Sequence, residues 1–131
     1  MKIDKSLRPS ELYSMVRNGF GKVKDHRTDE AAIGLADILM SGFALFSLKD
    51  PSLLAFDARR EEPKNLHTVY GIEQIPCDTY LRTVLDEVEP EALRPVYQEL
   101  FGQMEKGKVL EQYLFMDKYY LVSPDGTGYF A

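Results

Sequence analysis

Residues 31–48 read AAIGLADILMSGFALFSL. This stretch decides the fold, because its eighteen residues carry one charge, Asp37, and eighteen apolar-rich residues approach the length that crosses a bilayer. A carboxylate near the middle costs about 3 kcal/mol on insertion scales, and Gly34, Ser41, Gly42 and Ser47 dilute the rest. Apolar side chains fall on nearly every face of a helix drawn through the stretch, the pattern of a helix at the buried centre of a helical domain. Its flanks predict the ends. Thr28 is placed to cap it, Asp29 and Glu30 lie at the positive end of the dipole, and Lys49 lies at the negative end. Asp50-Pro51 stops it, and Pro51 opens a short second helix through Asp57. No membrane partner is expected.

Working outward, Ser10 to Phe20 places Leu12, Met15 and Val16 on one helical face, with Gly19 and Gly21 ending the element. Ala58 to Lys64 is a charged connector. Asn65 to Tyr70 forms a short helix ended by Gly71, a turn covers Ile72 to Pro76, and Cys77 to Val88 resumes helical spacing through Leu81, Val84, Leu85 and Val88. Ala92, Leu93, Val96, Tyr97, Leu100, Phe101 and Met104 draw a further stripe. Its helix is expected to begin at Pro95, since proline is best tolerated in a first turn, and to end at Gly107. From Tyr113 the chain turns aromatic and β-branched. Tyr119 to Val122 reads as a strand, Ser123-Pro124-Asp125-Gly126 as a turn, and Tyr129-Phe130 as the opening of a second strand. The fold class expected is mainly α, a helical body followed by one or two strands. It divides into a basic segment at 1–28, a helical domain at 29–112 and the first strands of another domain at 113–131.

The chain has 131 residues, 44% hydrophobic and 28% charged, an ordinary globular balance that excludes a disordered or fibrous protein. One cysteine makes no internal disulfide, and with two histidines it makes no structural zinc site. Met1 to Ser10 carries positive charge with no apolar run behind it, so no secretory leader is expected. The net charge of −5 argues against coating nucleic acid by bulk charge. That charge is split: residues 1–28 hold seven basic and three acidic side chains, a net of +4, and residues 29–131 hold nine and eighteen, a net of −9. Backbone-phosphate contact therefore falls first to the amino-terminal cations, Lys22, Lys24 and Arg27 among them, although a plain solvated basic face gives the same composition.

Few arrangements here carry chemistry. His26 and His67 lack partners in any nucleophile motif. Cys77, at a helix start, is more readily small packing material than a nucleophile. Gly126-Thr127-Gly128 lacks the continuation of a phosphate loop. A helix-turn-helix at 65–88 fits better, with Thr79, Arg82 and Thr83 on the outward side of the second helix. Asp78, Glu73, Asp86 and Glu87 repel phosphate, and a plain helical hairpin satisfies the same spacing. Asp125 is the notable acid. At the end of a strand it can hold a hard cation through oxygen, as in two-metal phosphoryl transfer, while Pro-Asp-Gly is also an ordinary turn.

The segments D-H-R at Asp25–Arg27, L-A-D-I-L-M-S-G-F-A-L-F-S-L-K at Leu35–Lys49, P-S-L-L-A-F-D to Asp57, G-I-E-Q-I-P-C-D-T-Y-L-R at Gly71–Arg82 and D-G-T-G-Y-F from Asp125, in that order, resemble the front of an insertion-sequence transposase of the DDE, RNase H-like class. The resemblance runs from about Asp25 to the end. It implies a helical region for DNA binding and assembly, then a mixed-sheet catalytic domain whose first strand ends in the first of three metal-binding acids. Asp125 is the matching position, as catalytic residue and metal ligand. The second aspartate and the glutamate are expected far downstream of these residues, and Pro124 removes a backbone donor at the strand end. The complete enzyme uses Mg2+ or Mn2+. One carboxylate holds magnesium poorly, so no tight binding is expected here. The implied partner is DNA at insertion-element ends, with a homo-oligomer as a further possibility. The implied setting is the bacterial or archaeal cytoplasm, on the nucleoid when DNA-bound. The alternative is a helical interaction or dimerisation domain without DNA affinity, its patch being the Ala92–Met104 stripe.

Overall fold

The structure is a computed structural model and describes residues 4–28, 30–124 and 126. Among these, six α-helices precede a small hairpin: α1 (Pro9–Phe20), α2 (Leu35–Ser47), α3 (Leu53–Ala58), α4 (Lys64–Thr68), α5 (Asp78–Leu85), α6 (Pro90–Lys106), β1 (Leu114–Phe115) and β2 (Tyr119–Tyr120). Short 3-10 turns sit at Lys5–Leu7, Arg59–Glu61 and Val109–Tyr113.

The apolar stretch is the central helix. α2 buries Leu35, Ile38, Leu39, Met40, Ala44 and Leu45, together with Asp37 and Ser41, and packs on α1 and α5. Val16 and Phe20 of α1, Phe56, Leu66, Tyr70, Ile72, Leu81, Val84 and Val96 complete the core. α1 therefore belongs to the body although it lies in the basic segment. It meets α6 closely: a Cβ built at Gly19 would stand 2.9 Å from Val96 Cγ2. No helix among the described residues is long and apolar enough to cross a membrane.

Several ends differ from expectation. α2 begins at Leu35 with Gly34 as N-cap, so Thr28 does not cap it. Asp37 falls in the first turn, and its carboxylate is engaged by groups from elsewhere in the fold, which fixes the start by tertiary contact rather than by the nearest capping side chain. At the other end Leu48 is the cap and Lys49 takes a left-handed φ of 56°. Lys49 N donates to Phe46 O at 3.1 Å and Asp50 N to Leu45 O at 3.1 Å, a Schellman ending with lysine where glycine is usual. Ser52, not Pro51, starts α3, its Oγ accepting from Ala55 N at 3.1 Å. α6 begins at Pro90 and carries Pro95 inside. Pro90 takes the N1 position, and the hydrogen bond that Pro95 cannot make lies on an exposed face, where water can reach the freed carbonyl.

Gly71 ends the α4 region as expected, at φ 65°, and Ile72 N donates to Leu66 O at 3.1 Å. Nine residues separate α4 from α5, a longer connection than the three or four of a helix-turn-helix. α5 packs instead on α2 and α3.

The strand at Tyr119 has a partner upstream. β1 and β2 are antiparallel, with Leu114 opposite Tyr120 and Phe115 opposite Tyr119. The three residues between the paired positions, Met116 to Lys118, make the turn: Met116 and Asp117 take φ of 54° and 56°, and Lys118 N donates to Phe115 O at 3.3 Å. Leu121 and Val122 lie beyond the pairing and are exposed. The second strand expected at Tyr129-Phe130, like Asp125 itself, lies outside the described residues.

Candidate nucleic-acid interface

The D-H-R tripeptide is a bracket. Arg27 Nε and Nη2 donate to Asp25 Oδ1 and Oδ2 at 2.9 and 2.8 Å, and the Arg27 amide reaches the same Oδ1 at 3.0 Å. The remaining guanidinium nitrogen, Nη1, donates to Tyr80 Oη in α5 at 2.9 Å. These hydrogen bonds hold the Asp25 carboxyl down at about 2, from an ordinary 3.8, and the same pairing pushes Arg27 further up. A carboxyl depressed on folding contributes stability that is present above pH 4 and lost as the pH falls towards 2. Arg27 is thus a positioning residue that ties 25–27 to the first turns of α5, with its guanidinium occupied.

The remaining basic candidates are differently placed. Ion pairs of the described residues engage Arg17, His26, Arg27, Arg59, Arg60, Arg94 and Lys108. Lys22, Lys24 and Arg82 make none among the described residues and are exposed. Their surroundings are mixed. Lys22 borders a polar depression with Glu11 and Glu99, and Lys24 one that includes Glu87 and Glu89. On α5, Leu81 and Val84 face the core while Thr79, Arg82 and Thr83 face outward. The Thr79 hydroxyl and amide both donate to Asp78 Oδ1, at 3.2 and 2.7 Å, and Thr83 Oγ1 donates to Thr79 O at 2.9 Å. Both hydroxyls thus donate within the helix, leaving Arg82 as the outward group of α5 with unengaged donors.

A second polar knot was not foreseen from sequence. Asp37, 7% exposed, accepts from Arg17 Nη1 at 3.0 Å and from the amides of Glu73 and Gln74 at 3.2 and 2.9 Å. The signal was present: a lone charge in an apolar helix that stays out of the membrane must be paired. Asp50, also nearly buried, takes a two-pronged Arg59 at 2.7 and 2.7 Å that holds α3 to the end of α2.

Among the described residues no three His, Cys, Asp or Glu side chains come together; Asp125, which the resemblance assigns to Mg2+ or Mn2+, lies outside them, and no step is assigned through either ion. Comparison with protein-family models, curated proteins and solved structures gave no match.

Proposed function

We propose that this chain is the amino-terminal part of a DNA transposase, a helical body that contacts DNA ahead of an RNase H-like catalytic sheet whose first strand ends at Asp125. The observation that carries the reading is the Arg27–Tyr80 hydrogen bond, which brings together, across 53 residues of sequence, the basic segment and the outward helix α5. The segments on which the resemblance rests are joined in a second place as well, where Asp37 receives the amides of Glu73 and Gln74. Both contacts hold segments that carry the resemblance within one folded unit.

On this reading Lys22, Lys24 and Arg82 meet phosphates, Thr79 lies at the DNA-facing turn, and Arg27 sets the angle of α5. Acidic neighbours at Glu87, Glu89 and Glu99 keep the attraction local. Chemistry is a separate matter: with Asp125 as its lone matching acid, the chain by itself neither nicks nor joins DNA. Asp125 supplies one carboxylate towards Mg2+ or Mn2+, and in-line transfer needs more than one.

Fluorescence anisotropy with a labelled duplex, titrated at increasing salt, tests the binding. Affinity should fall with salt, and Lys24→Ala and Arg82→Ala should each lower the slope of log K against log salt by about 0.9. Absence of binding at about 50 mM salt, or binding indifferent to Lys22→Ala, Lys24→Ala and Arg82→Ala, overturns the DNA reading in favour of an interaction domain. A nicking activity with Mg2+ or Mn2+ that disappears in Asp125→Ala would overturn the claim of inactivity.

A further inference from the structure

The nine residues between α4 and α5, 69–77, form an arch whose backbone is pinned along its length. Ile72 N donates to Leu66 O at 3.1 Å, and His67 Nδ1 donates to Ile72 O at 2.6 Å, the direction that a carbonyl acceptor requires. The amides of Glu73 and Gln74 end on Asp37. Gly71 sits at φ 65° with the Arg17 stem across it, since a Cβ there would stand 3.2 Å from Arg17 Cδ. Ile72 and Pro76 are buried. A loop held at this many points presents its side chains from a fixed frame, and little ordering is left to be done on binding.

Two polar side chains of the arch are exposed, Glu73 and Gln74. Asp37 takes their amides, and their side chains make no hydrogen bond among the described residues. Further along, the Thr79 and Thr83 hydroxyls donate within α5. Arg82 offers donors only, whereas Glu73 offers acceptors only and repels phosphate. Gln74 is thus the exposed side chain of residues 71–83 that holds an uncommitted donor and an acceptor side by side in one plane. We propose that Gln74 is a specificity-determining residue that reads the major-groove edge of an adenine in the bound DNA, donating to N7 and accepting from N6. The inference rests on the DNA reading and adds a base preference to it, because Lys22, Lys24 and Arg82 carry no sequence information when they meet phosphates. Gln74 lies five residues ahead of Thr79 and eight ahead of Arg82, on the connection that leads into the helix held by Arg27. Base contacts of a groove-bound helix gather at that amino-terminal end. One residue then serves two duties: its main-chain amide fixes the position on Asp37, and its carboxamide reads.

Enrichment of duplexes from a randomised pool by the full 131-residue chain tests it. The wild-type chain should favour adenine at one position about ten-fold over the other bases. Gln74→Ala should remove that preference and leave the slope of log K against log salt unchanged, because a neutral side chain releases no counterion. Gln74→Glu keeps the length but offers acceptors only, so it should move the preference at that position from adenine towards cytosine, whose N4 is a donor. Gln98→Ala, at an exposed position of α6, should leave the preference as it is. The helical circular-dichroism signal should be the same for all, since Asp37 binds the main-chain amide of Gln74 and not its side chain. If Gln74→Ala lowers that signal, Gln74→Glu decides, and a preference that stays on adenine overturns the proposal. Salt-dependent binding with no base preference, or with an adenine preference that survives in folded Gln74→Ala, overturns the proposal and leaves the DNA reading standing. Absence of salt-dependent binding in the wild-type chain overturns both.

Discussion

Asp37 shows how a single charge organises the surrounding fold. A carboxylate in an apolar helix is costly to desolvate unless each oxygen finds a donor, and here Oδ1 takes Arg17 Nη1 and the Glu73 amide while Oδ2 takes the Gln74 amide. Three separated parts of the chain, α1, α2 and the turn before α5, are thereby fixed to one side chain. Replacing it with alanine leaves Arg17 and two amides short of an acceptor. Asp37→Ala should therefore lower unfolding stability by about 3 kcal/mol in urea titration, and Asp37→Asn, which keeps one acceptor oxygen, by less. A loss below about 1 kcal/mol would mean that water restores the missing bonds. The residue was legible in the sequence as the lone charge of residues 31–48, but its partners were not. Two of them are main-chain amides some 36 positions away, and an amide has no signature in the sequence. The same holds for Arg27: its charge was visible, but the Asp25 and Tyr80 oxygens that occupy it depend on how segments 53 residues apart meet.

At the scale of elements, periodicity located the helices and tertiary contact set their ends. α1, α4, α5 and the apolar α2 lie close to where spacing put them, because each buries a face made of its own neighbours. Boundaries moved where another element decided: α2 starts late, at the turn carrying Asp37, and α6 starts early, because Pro90 takes the N1 role expected of Pro95. Gly19 illustrates the difference. Read alone it ends a helix, yet it lies inside α1, and its missing side chain makes room for Val96 of α6. Gly19→Ala adds a methyl at 2.9 Å from Val96 Cγ2. Overpacking of this kind costs about 1–3 kcal/mol, while the gain in helix propensity returns about 1 kcal/mol, so the variant should be less stable by about 1 kcal/mol. In a Val96→Ala background the clash is gone, and the same substitution should become neutral or stabilising. Thermal melts of the four proteins check the cycle, and equal effects in both backgrounds would show that α1 and α6 do not meet through this pair.

For the whole molecule, the two ends of the described chain are held to the body to very different degrees. The helices share one core in which α2 packs on α1 and α5, whereas β1 and β2 are two residues each, and Phe115, Met116, Tyr119 and Tyr120 of the hairpin are exposed. This hairpin was only half legible. The aromatic run predicted a strand at Tyr119, but its partner at Leu114–Phe115 hid in the same run, and the three-residue turn at 116–118 holds Met116 and Asp117 at positive φ with no glycine to signal it. Charge distributes differently as well: the +4 segment was legible from composition, but not that α1 joins the core and leaves Lys22 and Lys24 beside acids from α1, α6 and the 87–89 turn. An isolated two-stranded hairpin is marginal in water, so it should open without unfolding the helices. Native-state amide exchange measures this directly. The Lys118 amide, bonded to Phe115 O at 3.3 Å, should exchange at least about 100-fold faster than the amides of Leu39 to Ala44 in α2. Those α2 amides should report the global unfolding free energy, and destabilising the core through Asp37→Ala should accelerate them while leaving Lys118 unchanged. Protection at Lys118 that falls in step with α2 would instead make the hairpin part of the cooperative unit.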